Sequence, residues 1–167
     1  MEKTLIVDEN DNPVGSKNRK DIIIGQDIYR VAALWITNSR DEILLAQRAL
    51  TKSSPGCWGP AASGTLAEGE TYRSNVIKEA EEEIGLKNIN PEDGPKFRVT
   101  IRGRDYFCQY FVLHLDKPVS EFTLDPDEVV AVKWMPREEL KKDIKANPQN
   151  YIPSFVGYID SLLEKYE

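Results

Sequence analysis

The sequence is poor in the residues that hold together disulfide-bonded and zinc-bound proteins. Its 167 residues include two cysteines, Cys57 and Cys108, and one histidine, His114. The cysteines lie far apart and form no C-x-x-C pair, so we expect neither a disulfide framework nor a zinc cluster. The N-terminus lacks the apolar core of a signal peptide, and no apolar run reaches the roughly 18 residues that cross a bilayer. These absences predict a soluble, cytoplasmic protein without a membrane partner.

Basic residues are also fewer than acidic residues in this sequence. The chain has 22 Lys and Arg residues against 28 Asp and Glu residues, which gives a net charge of -6. A nucleic-acid polymer is therefore not expected as a partner, because phosphate backbones bind basic surfaces. A small phosphorylated substrate remains compatible with this charge, since a bound metal ion supplies positive charge locally. A monomer and a homodimer are both compatible with the sequence.

Apolar segments recur along the whole chain, and no repeat or linker divides it. The pattern predicts strands over residues 5–7, from Val14 onward, and over 30–37, 42–48, 96–101, 106–115 and 129–134. It predicts helices over 71–84, from Arg137 onward, and from about 151 to 166, whereas residues 53–64 should be loop or irregular strand. We therefore expect one α/β domain over residues 1–167, with a mixed sheet and helices packed against it.

The predicted helix over residues 71–84 ends in a cluster of acidic residues. At about 100° per residue, Glu79, Glu82 and Glu83 fall within one arc, while Glu81 points elsewhere. Most charge runs are solvated faces, but here like charges at i,i+3 and i,i+4 cost about 0.2–0.5 kcal/mol each. Acids near a helix C-terminus also face the negative end of the helix dipole. A bound cation reverses both costs, and carboxylate ligands favour Mg²⁺ or Mn²⁺ over zinc.

The spacing of the residues from Gly64 to Leu86 resembles the Nudix box, G-x5-E-x7-R-E-U-x-E-E-x-G-U, in which U is a bulky apolar residue. Seven residues occupy its fixed positions: Gly64, Glu70, Glu79, Glu82, Glu83, Gly85 and Leu86. Two positions depart from it, because Ala80 is small for an apolar position and Lys78 stands where the family carries arginine. Lysine keeps the charge but cannot form the planar fork of a guanidinium, so we expect a less organised site.

This resemblance implies a Nudix fold, an α/β mixed sheet sandwiched between helices, and a Mg²⁺-dependent (or Mn²⁺-dependent) hydrolase of pyrophosphate bonds. The implied substrate is a nucleoside di- or triphosphate, or a nucleoside diphosphate linked to another group. The metal ligands would be Glu79, Glu82, Glu83 and the Ser63 carbonyl, and the general base would be Glu82 or Glu128. Gly64, Glu70, Lys78 and Gly85 would organise the site. Arg30 and Arg48 would bind substrate phosphates or lie at the surface.

The flanking segments resemble more narrowly the Nudix branch related to isopentenyl diphosphate isomerase. The shared segments include Leu44-Leu45-Ala46-Gln47-Arg48 and Pro55-Gly56-Cys57-Trp58. The isomerase carries a catalytic cysteine and a metal-binding histidine where this chain has Ser63 and Thr65, so isomerase activity is the less favoured alternative. A Nudix-fold module that binds a nucleotide without cleaving it is the other alternative. The intact glutamates disfavour it.

Overall fold

The fold is a mixed sheet with helices on both faces. A computed structural model describes residues 1–165, so the predicted helix end at Tyr166 lies outside the described residues. The strands are β1 (Lys3–Val7), β2 (Pro13–Asn18), β3 (Ile28–Thr37), β4 (Glu42–Arg48), β5 (Trp58–Gly59), β6 (Ala62–Thr65), β7 (Glu92–Ile101), β8 (Arg104–His114) and β9 (Val129–Pro136). The helices are α1 (Tyr72–Ile84), α2 (Arg137–Ala146) and α3 (Pro153–Lys165).

Strand β3 is the centre of the sheet. It pairs in parallel with β8 along its whole length and antiparallel with β1, β4 and β6 over shorter stretches. Strand β4 pairs with β5 and β9, and β7 extends the sheet beyond β8. Strand β6 bonds only to β3 among the strands, so its other edge is available to the residues of α1.

Successive side chains of β3 enter two separate hydrophobic cores, because neighbouring residues of a strand point to opposite faces of the sheet. The face with Ala32, Leu34 and Ile36 packs against α1. The face with Ala33 and Trp35 packs against α2 and α3. The predicted sheet sandwiched between helices is thus confirmed. None of the described helices is long and apolar enough to span a membrane.

Helix α1 starts at Tyr72, one residue after the predicted start at Thr71, and ends at Ile84 as predicted. The Thr71 hydroxyl accepts a hydrogen bond from the Ser74 amide, and the Ser74 hydroxyl accepts one from the Thr71 amide, which forms a capping box. At the other end Gly85 adopts a left-handed conformation with φ 73°, and the amides of Gly85 and Leu86 donate to the carbonyls of Glu81 and Ala80. These bonds satisfy carbonyls that the last turn would leave unpaired.

Most strand predictions are confirmed, with differences at their ends. Strand β7 starts at Glu92, four residues before the predicted start at Lys96, and its register shifts between Asp93 and Lys96. Helix α3 starts at Pro153, just after the predicted start near Tyr151, since proline fits the first turn of a helix. The glycine-rich segment over 53–64 contributes the short strand β5 and most of β6, the irregular form that its composition allowed.

Candidate active site

Strand β6 and the last turns of α1 bring two glutamates together. The Glu79 side chain lies directly over Gly64, and a Cβ atom at position 64 would come within 2.4 Å of Glu79 Oε1. Because glycine alone lacks a Cβ atom, only glycine at position 64 leaves room for the Glu79 side chain. The Glu79 side chain is 16% exposed, so it is largely withdrawn from water at this point.

Glu83 lies one helical turn further along, beside Ser63. It is 8% exposed, and its Oε2 accepts a hydrogen bond of 3.3 Å from the Ser63 amide. Within residues 1–165 Glu83 forms no ion pair. In an antiparallel pair the N–H and C=O of one residue point to the same side. The Ser63 carbonyl therefore faces the edge of β6 that meets Glu83.

Burial has a direct electrostatic consequence for both carboxylates. Burial raises the pKa of Glu83 to about 8; the Glu79 charge adds to the rise, while the Ser63 hydrogen bond opposes it. Burial also raises the pKa of Glu79 to about 7, and Lys78 only partly offsets this effect. Because these neighbouring acids are difficult to ionise together, the site lacks the positive charge that would stabilise both carboxylates.

The loop after the short turn at Val119–Glu121 brings a third glutamate toward these two. The amides of Thr123 and Asp125 donate to the carbonyls of Ile84 and Glu83 at the end of α1. This close approach depends on Gly85, because a Cβ there would lie 2.8 Å from the Thr123 Cβ. Three residues after Asp125, Glu128 precedes β9 and enters the same region as Glu83.

These elements enclose a small cleft of about 290 Å³, which we call the glutamate cleft. Its polar lining consists of Arg48, Ser63, Glu83 and Glu128, and its apolar lining includes Val129 and Ile152. Four residues that the sequence predicted for the site therefore line one cleft. The Arg48 guanidinium donates to Ser53, and its charge opposes the rise in the pKa of Glu83.

Lys52 is a neighbour of this cleft that the sequence did not reveal. Its ammonium lies 2.5 Å from Glu128 Oε1, and both side chains are about one third exposed. Lys52 lies in a glycine- and proline-rich loop, where sequence periodicity gives no signal. Together Arg48 and Lys52 supply positive charge at the rim.

Glu70 and Lys78 form a second polar unit beside Glu79. The Glu70 carboxylate accepts hydrogen bonds from the Ala67 amide, the Asn75 side chain and Lys78 Nζ. Lys78 Nζ also lies 3.7 Å from Glu79 Oε1. Lysine thus holds Glu70 through a single point contact, where a guanidinium would offer a planar fork.

Two predicted residues lie outside this arrangement. The Glu82 side chain is exposed to solvent and does not line the glutamate cleft. The Arg30 guanidinium bonds to Asp11 at 2.6 Å and lies 4.8 Å above the Tyr72 ring, so it anchors the β1–β2 hairpin to the start of α1. A surface position and a substrate role were the sequence-based alternatives for Arg30. The structure places it in this partly buried network.

The candidate ligands are carboxylate and carbonyl oxygens, which suit a hard divalent cation. Among residues 1–165, no group of three or more His, Cys, Asp or Glu side chains is arranged to hold a metal ion. The glutamate cleft nonetheless combines oxygen donors with a buried, unpaired carboxylate, which is the environment in which an added cation relieves the largest electrostatic cost.

The positions that distinguish the isomerase lie in and next to this site. Ser63 lines the glutamate cleft, and Thr65, two residues further along β6, lines a second cleft. Neither lining contains cysteine or histidine within the described residues. Cys108 is buried, and burial raises the pKa of its thiol to about 12. His114 lies beside Ser39 and Asp116 at the end of β8.

Comparisons with known proteins agree with this geometry. A family model described as "NUDIX domain" matches residues 28–155. An isopentenyl-diphosphate Delta-isomerase 1 from Photorhabdus laumondii is 31% identical over 166 residues, covering 93% of this chain and 91% of that protein. A prenyl-diphosphate phosphatase from Methanosarcina mazei is 29% identical, with coverages of 89% and 87%. A crystal structure of a Deinococcus radiodurans protein superposes with a TM-score of 0.80 and 22% identity, covering 99% of both chains, which shows a shared fold.

Buried Glu83 predicts an unusual dependence of stability on pH. The folded protein holds a proton on Glu83 up to about pH 8, whereas the unfolded chain releases it near its ordinary value of 4.5. Stability of the metal-free protein should therefore fall as pH rises from about 5 to about 8, because the folded state binds more protons there. Glu83→Gln removes this cost, so it should gain on the order of 3 kcal/mol relative to wild type over that window.

Thermal and urea unfolding in EDTA at several pH values would measure this difference. A wild-type and Glu83→Gln pair whose stability difference stays constant across the window would contradict the assigned burial of the carboxylate.

Proposed function

Since the chain belongs to the NUDIX family, and is thereby a hydrolase that acts on pyrophosphate bonds, we propose that its reaction depends on Mg²⁺. Its substrate in this proposal is a nucleoside di- or triphosphate, or a nucleoside diphosphate linked to another group. The observation that supports the proposal most strongly is the buried, unpaired Glu83 carboxylate beside Ser63 and Glu79. A site of this kind is costly to keep unless a cation completes it.

Some residues of the chain would bind the metal ion, and others would orient the substrate. Glu79, Glu83 and the Ser63 carbonyl would hold Mg²⁺, with the exposed Glu82 contributing at the outer side. Bound there, the ion would neutralise phosphate charge and lower the pKa of a coordinated water. Arg48 and Lys52 lie at the rim of the cleft, where their charges attract and orient a diphosphate.

Glu128 is the proposed general base. It lines the glutamate cleft, whereas Glu82 does not, so Glu128 is the better placed of the two candidates to accept a proton from an attacking water. Its carboxylate also lies beside the Lys52 ammonium, which keeps a positive charge next to the proposed base. Lys52 would have to yield this contact in part when a diphosphate occupies the rim.

Isomerase activity is the second candidate, because an isomerase is among the relatives that match almost the full chain. Ser63 and Thr65 lack the thiol and imidazole that the isomerase carries at these positions, and the two cysteines and the histidine of this chain lie elsewhere. The match to a prenyl-diphosphate phosphatase gives a reason to assay prenyl diphosphates as hydrolase substrates.

A substrate panel tests the proposal directly. The panel contains nucleoside di- and triphosphates, nucleoside diphosphate sugars and isopentenyl diphosphate, each with Mg²⁺ and with EDTA. We expect Mg²⁺-dependent cleavage of the pyrophosphate bond of at least one nucleotide, measured by chromatography of the phosphate, pyrophosphate or phosphomonoester products. Glu83→Gln should lower kcat by more than about a hundredfold, since even outer-shell changes at metal sites cost up to that much. The exposed Glu81→Gln on the same helix is the matched control, and it should retain wild-type kcat.

Two outcomes would contradict the proposal. Tight nucleotide binding without cleavage of any nucleotide would indicate a binding module, and conversion of isopentenyl diphosphate to its isomer would indicate isomerase activity.

Replacement of Gly64 tests the position of Glu79 separately. In Gly64→Ala the new methyl group would overlap Glu79 Oε1, so the carboxylate must move away from β6. We expect kcat to fall by about a hundredfold, as for a displacement of about 1 Å at a reacting centre, with a stability loss of about 1–3 kcal/mol. Gly15→Ala is the control, because no atom lies within 4 Å of its added Cβ. Full activity in folded Gly64→Ala protein would exclude the assigned role of Glu79.

A further inference from the structure

A second and larger cleft lies along the same strand as the glutamate cleft. It has a volume of about 650 Å³, and we call it the arginine cleft. Its lining includes Arg19, Ile22, Ile24, Tyr29, Thr65 and Arg104. None of these residues takes part in the proposed hydrolytic site, so the arginine cleft is not needed to bind the metal ion or to activate water.

The lining of the arginine cleft contains two arginines and two aspartates. Its two acidic lining residues are neutralised by partners, since Asp27 pairs with Lys17 at 2.8 Å and Asp105 pairs with Arg98. Arg19 and Arg104, by contrast, form no ion pair within residues 1–165. These two guanidiniums therefore remain available to an anionic ligand, although the chain as a whole has a net charge of -6.

The two arginines line the same cleft as Tyr29. Burial raises the pKa of the Tyr29 hydroxyl, and the charges of Arg104 and Arg19 oppose that rise. The Tyr29 ring is fixed by stacking on Tyr106, with 5.2 Å between the ring centroids. Strand β3 thus supplies a fixed aromatic side chain between the two arginines of the lining.

The arginine cleft and the glutamate cleft are close enough for one ligand to span. Ser63 lines the first and Thr65 lines the second, and residues two apart on a strand point to the same face. Their separation along β6 is about 6–7 Å, the rise of two strand residues. A diphosphate held near Ser63 would therefore extend its attached group along β6 toward Thr65, Tyr29 and Arg104.

We infer that the arginine cleft binds a further phosphate group, carried on the part of the substrate that lies beyond the hydrolysed diphosphate. Guanidinium groups favour phosphate because their planar donors match its oxygens two at a time. Ile22 and the largely exposed Ile24 would cover the apolar body between the two phosphate sites. This inference rests on the proposed function for its placement of the diphosphate, and it narrows the substrate class to diphosphates with a separate phosphomonoester.

A charge-matched pair of double variants tests the inference. Arg19→Met with Arg104→Met removes both guanidiniums from the cleft. Lys20→Met with Arg102→Met removes two charges from neighbouring exposed positions that do not line it. The first readout is the binding of inorganic phosphate in the presence of EDTA, measured by calorimetry and ³¹P NMR. This measurement does not depend on hydrolysis. We expect binding to weaken about tenfold in the cleft variant and to change less than about twofold in the control.

The second readout is substrate preference in matched pairs. Coenzyme A is compared with dephospho-coenzyme A, and NADP⁺ with NAD⁺, since each pair differs by one phosphate. Wild type should prefer the phosphorylated member by about tenfold in kcat/KM, and only the cleft variant should lose this preference.

The outcomes separate this inference from the proposed function. Equal phosphate binding by the two double variants would overturn the inference, whether or not any substrate is hydrolysed. Hydrolysis of both members of a pair at equal rates would overturn it too, while leaving the proposed hydrolase intact. Selective loss of phosphate binding in the cleft variant, with no cleavage of these pairs or of any nucleotide in the substrate panel, would sustain the phosphate site and contradict the proposed function.

Discussion

The burial of an unpaired carboxylate at Glu83 is the constraint on which the rest of this site depends. A charged group withdrawn from water is costly unless an opposite charge accompanies it. Within residues 1–165 Glu83 receives only one hydrogen bond, from the Ser63 amide. The nearby Glu79 raises the cost further. A sequence selected for stability alone would place an apolar or basic residue at the end of this helix, where the helix dipole also disfavours acids.

The surrounding residues are explained by the need to keep that carboxylate in place. Gly64 leaves room for Glu79 to cross β6, and Gly85 allows the Thr123 loop to approach the end of α1. That approach brings Glu128 into the glutamate cleft. Lys78 holds Glu70 at the entrance of the helix and partly offsets the charge of Glu79. The two glycines and the lysine therefore act through the glutamates that they position.

The sequence predicted local features well because their causes are local. Spacing placed Glu79 and Glu83 on one side of a helix, and Thr71 and Gly85 fixed its ends. The sequence patterns could not predict that β3 pairs with both β6 and β8, since strand pairing depends on contacts between residues that are distant along the chain. Arg30 illustrates the same limit, because its partner Asp11 lies nineteen residues away on a turn. Lys52 and the arginine cleft were missed for this reason, because each depends on contacts between segments that are distant along the chain.

The central claim is that a hard cation completes the site by displacing protons from buried carboxylates. Isothermal titration calorimetry with Mg²⁺ at about pH 7, in two buffers of different ionisation enthalpy and with methylenediphosphonate present, measures both binding and proton release. The pKa values of about 8 for Glu83 and about 7 for Glu79 predict release on the order of one proton per ion bound. Glu83→Gln should release fewer. Indifference of the wild-type protein to both Mg²⁺ and Mn²⁺, or binding without proton release, would contradict the account.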